Sequence, residues 1–342
     1  MKFEPAITPY LRPSTGVGAV MRQVLYALIP AALAHCWYFG LGLALNIVIA
    51  SVFAVVTEAV IVRSKGLAPA TSLSDYTAVV TAVLIAFALP PLTPWWITAT
   101  ASVIAIAVAK HLYGGLGKNP FNPAMVGYAA VLVSFPAELS AWLPPRMGDL
   151  DYTHPSLLQT LRYTLTGDAG VALDALTRAT PLDSVRVALA ESRTMSESTA
   201  APWFGDFAGR GWEWINNFIA LGGIWLLFRR IIRWHIPVTV LAGVLVPATV
   251  ASLASPDNFA GPGFHLFAGS LMLCAFFIAT DPVSAATTPR GRLLYGVGIG
   301  LVIWVIRTWG AYPDGVAFAV LLMNMAVPLI DRACRPRVLG HE

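Results

Sequence analysis

The chain has 342 residues, 57% hydrophobic and only 12% charged, with a mean hydropathy of +0.68. A soluble domain carries about 25% charged residues, so this composition excludes an ordinary soluble fold and leaves room for roughly ten membrane-crossing helices of about twenty residues. The formal net charge of +4 gives no basis for nucleic-acid binding; where the basic residues fall is the informative feature.

Apolar runs occur at 24–39, 41–62, 77–92, 95–112 and 124–143, and again at 214–228, 236–253, 264–280, 293–309 and 315–330. They predict an all-α polytopic membrane protein of about ten transmembrane helices. Several runs are short or broken by proline, which a membrane protein tolerates where freed backbone groups face protein or a cavity. The eleven Trp suit interfacial anchors, and the 28 Gly and 25 Pro suit close-packed and interrupted helices. "MKFEPAITPYLRPSTGVG" precedes the first run and lacks the order and composition of a removable signal.

Basic residues punctuate alternate connections. Lys2, Arg12 and Arg22 precede the first run; Arg63, Lys65, Lys110, Lys118, Arg229, Arg230, Arg233, Arg290 and Arg292 follow even-numbered ones; Arg332, Arg335 and Arg337 close the chain. Fifteen of the 22 Lys and Arg thus fall in segments that a ten-span chain with both termini inside keeps cytoplasmic. Parity then puts the long segment 144–212 outside. It holds six Arg against eight acidic residues, with a short helix expected at "LLQTLRYTL". At nearly seventy residues it exceeds an ordinary connector, and a specific role is expected of it.

This divides the chain into an N-terminal five-helix repeat at 1–143, an extracytoplasmic segment at 144–212 and a C-terminal five-helix repeat at 213–342. An odd number of spans per repeat makes the second half enter from the opposite side, giving two inverted repeats. "SDYTAVVTAVLIAFALPP" and "FHLFAGSLMLCAFFIATDP" occupy matching places and both end at proline. Such repeats commonly build a binding site at their interface.

Polar residues within this framework read as follows. "GKNPFNPAMVG" carries Asn119 and Asn122, each followed by proline; it predicts a rigid corner or a folded-in loop that contacts a ligand. "IATDPVSAATTPRGR" is its counterpart, with Asp281 capping a helix or lining a polar passage. Asp75 reads as a helix cap, Glu58 as a side chain snorkelling near Arg63, and Arg307, between Trp304 and Trp309, as a headgroup anchor. His35, His111 and His265 share no metal-like spacing, and Cys36, Cys274 and Cys334 are scattered singly, so no metal site and no catalytic constellation is expected.

The remaining stretch is "DALTRATPLDSV", Asp174 to Val185. Together with "SDYTAVVTAVLIAFALPP", "GGLGKNPFNPAMVGYA" and "FFIATDPVSAATTPRGR", it makes the chain resemble, over nearly its whole length, the D-subunit family of the Rnf ion-translocating oxidoreductase complex. The B subunit of the sodium-pumping NADH–quinone reductase is a more distant likeness. In that family a motif Asp-x-x-Ser/Thr-Gly-Ala-Thr receives FMN through a phosphoester on its last hydroxyl. The resemblance implies Thr180 as the attachment point, with Asp174, Thr177 and Arg178 completing the motif. Arg178 stands where the family has glycine: it is unfavourable if that position needs φ > 0, and harmless, or able to pair with a phosphate, if it does not.

The resemblance further implies a bacterial inner-membrane subunit that relays electrons between ferredoxin and NAD through covalent FMN, coupled to Na⁺ or H⁺ transport. It implies a non-covalent riboflavin in the membrane core, with Asn119 and Asn122 as candidates to contain it. Implied partners are iron–sulfur subunits, an outward-facing FMN subunit, membrane lipid and a maturing flavin transferase. No complete active site is expected in this chain alone. A small-solute channel or secondary transporter, and a scaffold that only holds redox partners together, are the competing readings.

Overall fold

The computed structural model describes residues 16–147, 154–168, 170, 173–312 and 314–335. The protein is an all-α, multi-pass membrane protein. Among the described residues five helices are long and apolar enough to cross a membrane: α1 (Val17–Phe39), α2 (Gly42–Ser64), α13 (His235–Ala254), α16 (Pro289–Trp309) and α17 (Val316–Ala333). α4 (Thr77–Ala88) and α6 (Pro123–Ser134) are apolar but shorter, and α12 (Trp212–Phe228) has 17 residues. α5 (Trp95–Val103) continues as a π-helical stretch, Ile104–His111.

Two elements are broken where the sequence predicts continuous or simply capped spans. The short helix α3 (Pro69–Leu73) precedes α4, and Tyr76 between them has φ +60°. The run expected at 264–280 splits into α14 (Pro262–Phe267) and α15 (Leu271–Leu273), the latter extended by a π-helical stretch, Cys274–Ile278. Gly269, at φ +66°, sits in that gap. Periodicity cannot reveal such a break, because both flanks are equally apolar.

The segment ahead of α12 is folded rather than an open connector. It contains α7 (Pro136–Ser140), α8 (Leu157–Thr166), α9 (Leu173–Leu176), α10 (Pro181–Ala190) and α11 (Met195–Ser198). The predicted short helix at 157–166 is present, started by a capping box of Ser156 and Gln159 and stopped by Gly167 in the left-handed region. Leu182 and Val185 of α10 form a small apolar cluster with Phe204, Phe264 and Ala268, which docks the segment on the membrane helices.

Helix contacts are close where side chains vanish. α1 runs along α12, where a Cβ on Gly222 would strike the carbonyl of Ala27. α13 crosses α16 at Gly243 and Gly300, whose Cα atoms face each other. Between helices in lipid, small residues gain association through backbone proximity rather than through the hydrophobic effect. Gly300→Val puts a side chain against the backbone of Val240 and Gly243, and we expect overpacking of about 1–3 kcal/mol. A thermal melt of purified protein checks this: Gly300→Val should unfold well below Leu301→Val, a change at a lipid-exposed neighbour.

A cavity at the start of helix α10

α10 begins at the Thr180–Pro181 step. Thr180 is its N-cap, with Oγ1 accepting from the Asp183 amide at 3.2 Å, and Pro181 takes the first helical position, where its missing N–H is not needed. The unpaired amides and the dipole of the ten-residue helix make this end favourable for an anion. Asp183 does not oppose one with a bare charge, because Arg186 pairs with it at 2.7 Å and also donates to the carbonyl of Ala311.

Thr180 opens on two spaces. One, shared with Arg178, Ala179, Trp142 and Trp203, has about 10 Å³, too little for more than a water-sized group. The other has about 420 Å³, within the ~300–1,000 Å³ of small-molecule sites. It passes Leu182 and Arg186 and reaches His35, Met125, Asn216 and Ile278 between the membrane helices. Of its lining rings, Trp142 lies 4.8 Å from Trp212, and Phe39, behind the lining, links Trp212 at 5.0 Å to His35 at 5.1 Å.

The polar groups of this wall are of two kinds. Asp314 is satisfied: its Oδ2 accepts from the Ser270 amide at 2.8 Å and the Ser270 hydroxyl at 2.6 Å, and Arg307 is 3.2 Å from Oδ1. Burial alone would raise this carboxyl, but Arg307 and the Ser270 donors outweigh it and hold it below the usual carboxylate range. In contrast, both ring nitrogens of His35 and Oδ1 of Asn216 are buried without a hydrogen-bond partner. A buried polar atom left unpaired costs about 1–3 kcal/mol, so an apolar cavity with orphaned polar atoms in its wall fits a ligand that supplies their partners.

The structure brings some of the expected site residues together. Thr180 lines the large cavity, while Thr177 is not among the residues lining it. Arg178 pairs through its backbone, its amide donating to Trp142 at 2.8 Å, and it is not among the residues with positive φ. Of the two possibilities for this position, the one requiring glycine's conformational freedom therefore does not apply. The side chain of Asp174 lies outside the described residues.

Asn119 and Asn122 do not reach the cavity. Asn119 donates to the carbonyl of Phe121 at 3.0 Å. Asn122 caps α6, its side chain donates to the Ile278 carbonyl at 3.1 Å, and its backbone amide donates to Asn324 Oδ1 at 3.0 Å. The corner freed by the two prolines is thus tied to the other half of the chain. His35, Asn216, Trp142 and Trp212 went unnoticed as site residues in the sequence. The available signals were a histidine inside an apolar run and "WEWINN" opening another, and both are equally natural for packing.

Two charged residues depart from their sequence reading. Glu58 does not snorkel toward Arg63; its side chain is 1% exposed and lies 2.8 Å from Lys110 Nζ. Lys110 also donates to Thr77 Oγ1 at 2.7 Å, beside the first helix break, and Ser72 donates to Glu58 at 2.9 Å. Arg307 is not at the headgroups; its side chain is 0% exposed and donates to the carbonyls of His265 and Ala268 at the second break. Among the described residues no group of three or more His, Cys, Asp or Glu is placed to hold a metal ion.

Residues 5–340 match the family described as NQR2, RnfD, RnfE. The chain belongs to this family. It is 47% identical over its full length to the full length of the D subunit of the ion-translocating oxidoreductase complex of Vibrio cholerae serotype O1 (strain ATCC 39541 / Classical Ogawa 395 / O395). It is 44% identical to the protein of the same name from Salmonella typhimurium (strain LT2), covering all of this chain and 99% of that one.

Removing one partner of the buried Glu58–Lys110 pair leaves an uncompensated charge. Lys110→Met should cost about 3–5 kcal/mol, and the double change Glu58→Gln with Lys110→Met should recover much of it. Thermal unfolding of the three proteins measures this; equal losses in the single and double variants would mean that the charges are not coupled.

Proposed function

We propose that this chain is the inner-membrane subunit of an ion-translocating redox complex and that it carries FMN as a phosphoester on Thr180. Membership of the family and similarity to the D subunits of such complexes support the subunit role. The observation that carries the flavin reading is the geometry at Thr180: a hydroxyl at a helix N-terminus, opening on a cavity of about 420 Å³ that contains orphaned polar atoms. Thr180 holds the phosphate tail, the α10 amides and the neutralised Asp183 give that phosphate a compatible field, and the aromatic wall bounds the ring. When bound, the flavin supplies reversible one- and two-electron chemistry, and the protein supplies orientation and exclusion of water.

The topology proposed with it is ten spans in two inverted five-helix repeats, 1–143 and 213–342, separated by a periplasmic segment 144–212, with both termini cytoplasmic. The paired breaks support this. Each follows a short helix that starts at proline, each has a residue at positive φ, and each places a carboxylate on the amide and hydroxyl that follow. These are Asp75 with Thr77, and Asp314 with Ser270. Each break also receives a buried cation from the end of a later helix, Lys110 or Arg307. An outward Thr180 suits exchange of electrons with an outward-facing FMN subunit, while iron–sulfur subunits perform the soluble oxidation steps and a flavin transferase matures the site. Ferredoxin/NAD chemistry, Na⁺ or H⁺ coupling and a riboflavin in the membrane core belong to the same proposal; Asn122 enters it as a tie between the halves, and Asn119 as part of the corner that carries that tie.

The test is a denaturing gel viewed under ultraviolet light, on protein made with a working flavin transferase. A fluorescent band should be present in wild type, present in Thr177→Ala and absent in Thr180→Ala. In the assembled complex, Thr180→Ala should lower electron transfer by more than tenfold at unchanged protein abundance. A colourless wild-type protein would favour the solute-transporter reading, and full electron transfer in Thr180→Ala would favour a scaffold.

A further inference from the structure

The orientation of Asn216 is fixed by what surrounds its amide. Its Nδ2 donates to the carbonyls of Trp212 at 3.1 Å, Phe267 at 2.8 Å and Gly269 at 3.3 Å. Carbonyls only accept, so the NH₂ group must face them and cannot exchange places with the oxygen. Oδ1 is left buried and unpartnered in a residue that lines the cavity. That oxygen needs an N–H or O–H from a ligand.

His35 is on α1, which packs along the α12 helix of Asn216. Its neighbours are rings, Phe39 at 5.1 Å and Phe87 at 6.2 Å, and neither nitrogen has a partner. A neutral imidazole presents one donor and one acceptor. The buried wall therefore asks for a ligand edge that combines a donor with acceptors. A quinone, with carbonyls alone, would leave Asn216 Oδ1 unpaired. A hydrocarbon chain would leave every one of these atoms unpaired. An imide edge, an N–H flanked by two carbonyls, gives its hydrogen to Asn216 and receives one from His35.

We propose that His35 and Asn216 are the positioning residues for the imide edge of a flavin ring whose phosphate is carried by Thr180. This rests on the reading of Thr180 above. The tail is fixed at the N-terminus of α10, the aromatic row flanks the ring, and the imide edge ends at the two membrane helices. A donor to an imide carbonyl stabilises the electron-rich reduced ring more than the oxidised one, so His35 raises the midpoint potential.

The discriminating experiment uses the full chain, wild type and His35→Leu, each made with and without a flavin transferase. Without flavin, His35→Leu removes two unpaired buried nitrogens, so its melting temperature should equal or exceed that of wild type. With flavin, the same change removes a hydrogen bond and should lower the melting temperature by about 2 °C. The midpoint potential of the bound flavin should fall by about 30 mV, the equivalent of a tenfold change in the two-electron equilibrium. His35→Gln, which keeps a donor and an acceptor, should restore most of both effects. Asn216→Leu should shift the flavin N–H band in the vibrational spectrum. Equal effects of His35→Leu with and without flavin, together with an unshifted potential, would overturn this assignment and leave flavin on Thr180 intact. Peptide mass analysis showing wild-type Thr180 unmodified by the transferase would overturn the underlying reading and this one with it.

Discussion

A helix that breaks inside a membrane protein frees amides and carbonyls with no water to receive them, and every one needs a partner within the protein. The break at Ala268–Ser270 meets this demand with side chains drawn from three other elements. Arg307 of α16 takes the carbonyls of His265 and Ala268, Asp314 takes the Ser270 amide, and Asn216 of α12 takes the carbonyls of Phe267 and Gly269. Much of the structure around the large cavity follows from this arrangement. Asp314 is half-buried and stays below the usual carboxylate range because Arg307 and Ser270 hold it. Asn216, which lines the cavity, leaves its oxygen unpartnered because its nitrogen is committed to the break. Gly269 and Ser270 line the same space that Thr180 enters.

The break at Tyr76 shows the same solution with different residues. Asp75 receives the Thr77 amide and hydroxyl, and Lys110 reaches the same hydroxyl while paired with Glu58. At the proline end of α4, Asn46 donates to the freed carbonyl of Pro90, as does Thr93. A lysine ammonium with three donors serves one carboxylate and one hydroxyl there. At the break around Gly269 an arginine fork reaches two carbonyls and a carboxylate, contacts that a single ammonium would not span in the same way. The two breaks are thus alike in construction and different in the cation that serves them.

The sequence carried the parts of this that are local. The caps at Asp75, Ser156 and Thr288 are each written within three or four residues, and the apolar runs place α1, α2, α13, α16 and α17 to within a few residues except at the start of α1. What it did not carry were pairings across long separations. Glu58 had Arg63 one turn away and found Lys110, 52 positions on. Arg307 had two tryptophans as neighbours, a pattern shared by every interfacial anchor, and found the carbonyls of a broken helix instead. Gly269 was the one local mark of that break, and glycine between apolar flanks is common in membrane helices for other reasons. The threonine motif was legible only by resemblance, since Thr-Pro is an ordinary helix start. The cavity beyond it is lined by residues of α1, α4, α6, α7, α10, α12, α17 and the second break together, which no local pattern encodes.

That Thr180 is an ordinary cap bears on why it would suit an attachment point. The hydroxyl of an N-cap already points toward the unpaired amides of the first turn, and its oxygen accepts from the Asp183 amide at 3.2 Å. Esterification on the proposed reading replaces a neutral acceptor by phosphate oxygens that are anionic, more numerous and able to reach the same amides, so modification strengthens the start of α10 rather than undoing it. Arg186 and Asp183 matter for the same reason: with the carboxylate paired and its partner tied to the Ala311 carbonyl, the phosphate meets the helix dipole and not a like charge. A serine or threonine in the middle of a helix would offer none of this. The position of the hydroxyl at a helix start, more than the letters around it, is what would let one residue both end a loop and hold the proposed charged tail at the mouth of an apolar cavity.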